Sequence, residues 1–273
     1  MITDTEKEDL VVSNIMIMDY MSYLFVALFG LCFGSFFNVL IYRLPLNQSI
    51  IKPNSFCPNC KMEIKWYNNI PLFSYIFLKG KCANCESKIS LYYPFVELLT
   101  AIITVLLFDK LGFSDAFISI TVVFYLLIVL SFIDLEYKAV PDYLLVLIFF
   151  ASFFAIDTDF LTALENGLIF AGAFIMLDFI LTFYIQNIKY KITKDEDLKT
   201  QKALGEGDIP IVFVIGMILG IKAGFTAIFL GALSAIIPSI YNILFKKEIE
   251  TPFIPFLSFG LFIEFIFLLS EGF

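Results

Sequence analysis

Long apolar segments constrain this sequence more than any other feature. A helix that crosses a bilayer needs about 20 largely apolar residues. Eight segments have this character: residues 21–42, 93–109, 114–134, 141–157, 161–187, 208–222, 224–245 and 253–270. Of the 273 residues 60% are hydrophobic and 16% are charged, whereas soluble domains are nearer 45–50% apolar and about 25% charged. The sequence therefore predicts an all-α polytopic membrane protein with about eight transmembrane helices.

The basic residues predict how these helices are oriented. Of the 18 lysines and arginines, 15 lie in the loops after the first, third, fifth and seventh apolar segments. Only Lys7, Lys110 and Lys222 fall on the other side. Because cytosolic loops are enriched in Lys and Arg, we expect those four loops in the cytosol and both termini outside. The expected surroundings are membrane lipid, and no feature of the sequence predicts a nucleic-acid partner.

The first of these loops, residues 43–92, contains a four-cysteine pattern. "CPNC" at 57–60 and "CANC" at 82–85 give C-x2-C-x21-C-x2-C, so Cys57, Cys60, Cys82 and Cys85 can supply four thiolates. Two such pairs are typical of a tetrahedral structural Zn²⁺ site, and a cytosolic location disfavours stable disulfides. A redox dithiol pair and iron–sulfur ligation are the alternatives. The pattern predicts a small cytosolic zinc module between the first two transmembrane helices.

The absence of histidine excludes the commonest catalytic base and metal ligand. Hydrolytic chemistry would then depend on carboxylates, and charged residues at the ends of membrane helices are functional candidates. Asp134 ends the third apolar segment and Asp208 begins the sixth, both at the predicted cytosolic face, with Asp142 at the start of the fourth. Asp208 could instead be the N-cap of its helix, and Asp142 a first-turn acid favoured by the helix dipole.

Neighbouring residues have simpler interpretations. Gly205 and Gly207, before Asp208, are expected to adopt positive φ and to allow a substrate strand to approach closely. Asp178, inside the fifth segment, is interpreted as a buried polar contact. Glu264 in the last segment has no explanation from the sequence.

Several motifs together resemble a known family. "GEGD" at 205–208 matches the GxGD signature of intramembrane aspartyl proteases, and "FIDLEYKAVPD" at 132–142 resembles an element of type IV prepilin peptidases. "GSFFNVLIYRLP" at 34–45, the cysteine pairs and "YPFVELLTA" at 93–101 resemble the N-terminal region of the bacterial form. These motifs cover about residues 30–220, in the order found in that family. The family's motif usually continues as GxGDxK, and this chain has Pro210 at the lysine position.

The resemblance implies a function and a set of site residues. It implies an endopeptidase of the bacterial inner membrane that removes the leader from prepilins and pseudopilins at the cytosolic face, followed by S-adenosylmethionine-dependent N-methylation. Asp134 and Asp208 would be catalytic, with Gly205, Gly207 and Asp142 in support. The four cysteines would bind structural zinc. The region tied to methylation contains Asn38, Arg43 and Glu97.

The resemblance also implies a division of the chain. Residues 1–42 would be a tail and first transmembrane helix, 43–92 the four-cysteine module, and 93–273 the membrane-embedded protease domain. The alternatives are a carboxylate-based transporter, a membrane thiol oxidoreductase and an inactive zinc-stapled scaffold. A presenilin-like or archaeal preflagellin-type enzyme shares GxGD, but is not expected to carry the cysteine module.

Overall fold

The structure, a computed structural model, describes residues 4–246 and 251–272, with side chains described from residue 18 onward except at 197, 246, 271 and 272. Within these residues the fold is helical, and the only β-type pairings are two isolated bridges, Phe56–Glu63 and Lys81–Lys88. The α-helices are α1 (Asp4–Arg43), α2 (Phe73–Phe77), α3 (Tyr92–Leu111), α4 (Asp115–Tyr137), α5 (Asp142–Ser152), α6 (Phe160–Phe183), α7 (Tyr190–Thr193), α8 (Asp208–Tyr241) and α9 (Ile254–Phe267). The chain forms two compact units, residues 1–113 and 114–273.

Four helical segments of the described chain are long and apolar enough to cross a membrane. They are Met18–Arg43, Asp115–Tyr137, Phe160–Thr193 and Asp208–Phe245. Helices α5 and α9 are apolar but shorter, with 11 and 14 residues. At 1.5 Å per residue, α5 is about 16 Å long, roughly half of the hydrocarbon thickness. The all-helical membrane architecture agrees with the prediction, whereas helix length alone does not establish eight full spans.

In the first unit, α1 and α3 pack closely because two glycines of α1 face α3. A Cβ added at Gly30 would lie 2.7 Å from the Cα of Ala101, and one at Gly34 would lie 2.6 Å from the Cα of Glu97. Glycines four residues apart lie on one face of a helix and allow two backbones to approach, as in many membrane helix pairs. The four-cysteine module is the segment of this unit that connects α1 to α3.

Helix α8 is bent back on itself at Gly220. Gly220 has φ 74° and ψ −174°, which interrupts the helical conformation. A Cβ added at Gly224 would lie 3.7 Å from the Cα of Gly216, a distance that a continuous helix does not allow for residues eight apart. The two arms therefore run antiparallel, and the reversal falls close to the predicted boundary between segments 208–222 and 224–245.

In the second unit, α9 packs against both α4 and the second arm of α8. A Cβ on Gly260 would lie 2.0 Å from the Ala227 carbonyl oxygen, so these helices are in direct backbone contact. On the other side, the Ser131 hydroxyl of α4 donates to Ser258 at 3.1 Å. This packing places the start of α9 beside the end of α4, where the candidate site is found.

Candidate functional site

Asp134 lies in the last turn of α4 and is buried, with 8% of its surface exposed. Its Oδ2 accepts a hydrogen bond of 3.2 Å from the backbone N–H of Ile254 at the start of α9. The first N–H groups of a helix have no partner within the helix, so a carboxylate at this point satisfies a group that would otherwise be unpaired. The beginning of α9 thereby fixes the position of Asp134.

Asp208 is the first residue of α8 and is also buried, with 6% exposed. The N-cap position is occupied by Gly207, and no side chain caps this helix. The Asp208 carboxylate instead turns back and accepts a 3.3 Å hydrogen bond from the Gly205 N–H. The N-cap interpretation is therefore wrong, because Asp208 is already helical and its carboxylate faces the glycine turn.

The two carboxylates come from different helices but occupy one place. The end of α4 and the start of α8 both meet the first turn of α9. Ile254 links them, since its N–H binds Asp134 and its Cδ1 would lie 3.6 Å from a Cβ added at Gly207. Buried carboxylates this close cannot both carry a charge cheaply, so the arrangement favours sharing one proton.

The glycines of the GEGD turn provide space rather than an unusual conformation. Positive φ at glycine occurs, within the described residues, at Gly80, Gly112 and Gly220, and Gly207 has φ −68°. The expected positive φ at Gly205 and Gly207 is wrong, because the turn is right-handed and closes by a 3.1 Å hydrogen bond from the Asp208 N–H to the Gly205 carbonyl.

Side chains at this turn would collide with the site. A Cβ on Gly205 would lie 3.2 Å from Asp208 Oδ2, and one on Gly207 would lie 3.0 Å from Val140. Val140 belongs to the short connection between α4 and α5, so the absence of a side chain at Gly207 lets this connection approach the start of α8. The two glycines keep the ends of three helices within contact distance.

Further acidic residues lie near these helix ends. Asp142 begins α5 and Glu136 lies in the last turn of α4, and both side chains are exposed. Glu206, inside the GEGD turn, is exposed and forms an ion pair with Lys202. Water and salt screen these exposed acids, so they attract positive charge only within about a Debye length, roughly 10 Å at 0.1 M salt.

An apolar groove of about 400 Å³ begins immediately after Asp208. Ile209 and Pro210 of α8 form the end nearest to the carboxylates. The remaining lining comes from Leu145, Val146, Phe149 and Phe150 of α5, Ala171 of α6 and Phe213 of α8. Pro210, the departure from GxGDxK, is therefore part of an apolar wall, and it places no charge at this position.

The four cysteines of the first unit form one cluster, with their sulfur atoms all within 4.8 Å of one another. Cys57 and Cys85 Sγ are 3.9 Å apart, close to the value of about 3.8 Å that a tetrahedral site with Zn–S bonds of 2.3 Å requires. The cluster can therefore hold a metal ion, and its donor set suits Zn²⁺.

The local backbone explains why the cysteines converge, since both pairs form the same turn. In the first, the N–H of Lys61 donates to the Cys57 carbonyl at 2.9 Å; in the second, the N–H of Glu86 donates to the Cys82 carbonyl at 3.0 Å. Lys61 and Glu86 both have positive φ, at 60° and 56°. The two turns present their thiols to a common centre.

Polar groups favour the ionised form at two of the sulfurs, those of Cys57 and Cys85, whereas burial and the neighbouring thiols raise the pKa of Cys60. The side-chain amides of Asn59 and Asn84 donate to Cys85 and Cys60, each at 3.6 Å. Hydrogen bonds from the hydroxyl and backbone of Ser87 lower the pKa of Cys85 to about 6. A hydrogen bond from the Cys60 backbone lowers the pKa of Cys57. Metal binding requires thiolates, so these donors prepare the cluster for a cation.

The three residues of the proposed methylation region are buried at or near the α1–α3 pair. Arg43 donates to the carbonyl oxygens of residues 49 and 53 at 2.9 and 2.7 Å, and so anchors the start of the cysteine module. Glu97 accepts from the Leu72 N–H at 2.8 Å. Asn38 donates to the Tyr93 carbonyl at 3.1 Å, while its buried Oδ1 has no partner among the described residues.

Sequence reasoning missed two features of the site. The N–H of Ile254 holds Asp134, but no sequence pattern marks that contact. The interaction of α6 with the segment before GEGD was also missed, although polar residues four apart on an apolar helix are a detectable signal.

Glu264, unexplained from the sequence, is fully buried and accepts a 2.9 Å hydrogen bond from the Ser270 N–H.

The fold and the buried carboxylate pair define a helical membrane protein with an aspartate-based site and a four-cysteine module. Two family models match the chain: Bacterial Peptidase A24 N-terminal domain over residues 28–111 and Type IV leader peptidase family over residues 121–240. The chain belongs to the type IV leader peptidase family.

Curated relatives named "Prepilin leader peptidase/N-methyltransferase" are similar over much of the chain. The Bacillus subtilis protein is 32% identical over 254 residues, which cover 90% of this chain and 94% of that protein. The Neisseria gonorrhoeae protein is 31% identical over 239 residues, which cover 78% of this chain and 80% of that protein. The Myxococcus xanthus protein is 35% identical over 73% of this chain, and the match spans only 56% of that relative's length. No solved structure matches the chain.

Proposed function

We propose that this chain is an intramembrane aspartyl endopeptidase that removes the leader peptide from type IV prepilins or pseudopilins and then N-methylates the new N-terminus. The observation that carries the proposal is the pair of buried carboxylates, Asp134 at the end of α4 and Asp208 at the start of α8, whose helix ends both contact Ile254. The names of the relatives support both activities.

The proposed peptidase mechanism uses only these two side chains and a water molecule. One carboxylate is ionised and takes a proton from the water as its oxygen attacks the scissile carbonyl carbon. The other carboxyl gives its proton to the carbonyl oxygen, so that a neutral tetrahedral intermediate forms. Collapse of this intermediate breaks the C–N bond: one carboxyl protonates the leaving amine while the other carboxylate takes a proton from a hydroxyl of the diol, so the pair returns to a single shared proton.

The surroundings fit a substrate with one basic and one apolar part. Glu136 and Asp142 give the approach to the carboxylates a negative rim that would attract a positively charged leader. The groove lined by Ile209 and Pro210 would take an apolar stretch next to the scissile bond. A leader outside the membrane and an apolar mature segment within it would place the cleaved peptide bond at Asp134 and Asp208.

The proposed methylation belongs to the first unit. S-adenosylmethionine would supply an electrophilic methyl group for the new terminal amine. The unpaired Asn38 Oδ1 and the Glu97 carboxylate offer buried acceptors for the amino groups of the donor or substrate. We assign Arg43 a positioning role instead, because its guanidinium holds backbone carbonyls of the cysteine module.

In the proposed module, Cys57, Cys60, Cys82 and Cys85 hold a structural Zn²⁺. A site with four thiolate ligands leaves no open position for substrate, so the metal would stabilise the fold of residues 43–92 rather than take part in cleavage. A segment of this size with few buried apolar residues needs such a crosslink.

The proposed arrangement in the membrane has eight crossings, with both termini outside and the cysteine module and carboxylates at the cytosolic face of a bacterial inner membrane. The reversal of α8 at Gly220 and the basic loops support it. The proposed division into residues 1–42, 43–92 and 93–273 also remains part of this hypothesis. Family membership favours it over a carboxylate transporter or an inactive scaffold.

Cleavage of a synthetic prepilin by the purified full-length protein in detergent would test the proposal. Mass spectrometry of the products, with and without S-adenosylmethionine, reports the cleaved bond and any added methyl group separately. We expect one cut after the basic leader, and a mass increase of one methyl group only when the donor is present. Intact substrate with folded protein would contradict the peptidase function, and cleavage without methylation would contradict the second activity alone.

A further inference from the structure

One face of α6 and the turns that follow it carries three polar side chains in an otherwise apolar segment. Asp178, Thr182 and Gln186 are spaced four residues apart, so they follow one side of the helix. The same helix exposes large apolar side chains on its other faces, including Met176, Phe179, Ile180 and Phe183. An acidic residue within such a helix is costly in lipid unless it is paired.

These three side chains bind successive backbone groups of the segment just before the GEGD turn. Asp178 Oδ1 accepts from the Leu204 N–H at 3.0 Å. The Thr182 hydroxyl accepts from the Ala203 N–H at 3.0 Å and donates to Asp178 Oδ1 at 3.2 Å. The Gln186 amide donates to the carbonyl oxygen of residue 201 at 3.2 Å.

The bound segment leads directly to the buried carboxylate. Leu204 is followed by Gly205, whose N–H donates to Asp208 Oδ2. Residues 201–204 are not part of a helix, so their backbone polar groups need partners outside the segment. The three side chains of α6 supply those partners and set how far the segment enters the bundle.

We propose that Asp178 is a positioning residue for the aspartate pair, acting with Thr182 and Gln186 through the backbone of residues 201–204. Asp178 does not touch the reacting atoms; it fixes the position of Leu204, and hence of Gly205 and the Asp208 carboxylate. The inference rests on the proposed peptidase function.

The role depends on the hydrogen-bond acceptor and not on the charge. Asparagine at 178 keeps an oxygen for the Leu204 N–H, whereas leucine removes it. Serine at 182 keeps the hydroxyl, whereas valine keeps the shape and removes the hydroxyl. Two pairs of variants therefore separate the loss of positioning from the loss of charge or volume. They are Asp178→Asn with Asp178→Leu, and Thr182→Ser with Thr182→Val.

The test measures kcat and KM for cleavage of a synthetic prepilin by full-length variants in detergent. Because misplacing a reacting group by about 1 Å can cost roughly 100-fold in rate, we expect Asp178→Leu to lower kcat by about 100-fold with KM within about twofold of wild type. Thr182→Val should lower kcat by about tenfold, on the same reasoning for one lost contact. Asp178→Asn and Thr182→Ser should stay within about threefold, since their hydrogen bonds remain.

Glu165→Leu is the matched control, because Glu165 is an exposed acid on the same helix. It should cleave like wild type. Thermal unfolding and gel filtration identify any variant that fails to fold. If Asp178→Leu does not fold, the comparison of Thr182→Val with Thr182→Ser tests the positioning role.

The outcomes separate this inference from the proposed function. If the wild type does not cleave the peptide, the proposed function fails. If the wild type cleaves but Asp178→Leu and Thr182→Val keep wild-type kcat, the positioning role is overturned and the peptidase stands. A rise in KM alone, or an Asp178→Asn variant as impaired as Asp178→Leu, would also overturn it.

Discussion

At the scale of single residues, the site depends on what holds each carboxylate in place. Asp134 is fixed by an N–H of α9 and Asp208 by an N–H of the glycine turn, so both are positioned by backbone groups. A backbone donor cannot rotate away as a side chain can, which suits a pair that must keep a constant separation during proton transfer.

Gly205→Ala tests this arrangement with one methyl group. The added Cβ would lie 3.2 Å from Asp208 Oδ2, so the carboxylate must shift. We expect kcat for prepilin cleavage to fall by about tenfold, on the estimate that sub-ångström displacement of a reacting group costs one to two orders of magnitude. Steady-state kinetics would check it against Gly172→Ala, where the added methyl meets nothing within 4 Å. Equal rates for the two variants would show that Asp208 tolerates the displacement.

The sequence selects candidate residues for the site more readily than it predicts their geometry. Asp134 and Asp208 could be selected from the sequence because an acid at the end of a membrane helix is costly. The side-chain direction of Asp208 could not, because an N-cap and a first-turn residue differ by one position in the chain. The backbone of Gly205 and Gly207 was mispredicted for a related reason: glycine permits positive φ but also permits close approach, and only the neighbours decide between them.

At the scale of elements, α9 links the packing of the helices in the second unit to the position of Asp134. Its Gly260 contacts the second arm of α8, and its first N–H groups hold Asp134. The sequence predicts the helix well, with 253–270 expected and Ile254–Phe267 observed. Its neighbours are not predictable in the same way, because apolar membrane helices carry little periodic signal to indicate which face packs against which partner.

Gly260→Ala should therefore destabilise the second unit. The added Cβ would lie 2.0 Å from the Ala227 carbonyl oxygen, and the two backbones must separate. Overpacking of this kind costs about 1–3 kcal/mol, so we expect a lower Tm together with a lower kcat as α9 moves away from Asp134. Gly172→Ala again serves as the control, since it adds a methyl in open space. An unchanged Tm for Gly260→Ala would mean that these helices are not packed as described.

The cysteine module makes a prediction about pH. The pKa of Cys85 is lowered to about 6, so this thiol is ionised at neutral pH and its stabilising contribution is lost as the pH falls through about 6. Protons and metal compete for the four thiolates, so bound zinc should be retained at pH 7.5 and its occupancy should fall as the pH is lowered to 5. Native mass spectrometry across this range would measure the occupancy, with Cys57→Ser expected to bind weakly at every pH. Full zinc occupancy at pH 5 would contradict this prediction.

At the scale of the whole molecule, the two units hold different chemistry. The cysteine cluster and the proposed methylation residues lie within residues 1–113, and the carboxylate pair lies within 114–273. The family models divide the chain in the same way, at 28–111 and 121–240. The boundary between the units falls after α3 because α3 packs against α1, a pairing that the apolar sequence of α3 does not indicate.

Reporter fusions would test the predicted orientation of the chain. Alkaline phosphatase, which is active only after export, should be active when it is fused after residue 112. It should be inactive when it is fused after residue 194, because that loop carries a cluster of lysines and is predicted to remain in the cytosol. A cytosol-specific fluorescent reporter at the same two positions should give the opposite pattern. Phosphatase activity at residue 194 would invert the topology and place the carboxylates at the outer face.

The most direct measurement for the central claim is cleavage of a synthetic prepilin by Asp134→Asn and Asp208→Asn, compared with the wild type and with Glu165→Gln as a control. Each substitution keeps the size of the side chain but prevents the pair from sharing a proton. We predict that both variants fold, with Tm close to wild type, and lose at least about a thousandfold in kcat, while the control keeps its activity. Cleavage at the wild-type rate by either folded variant would show that the aspartate pair is not the catalytic site.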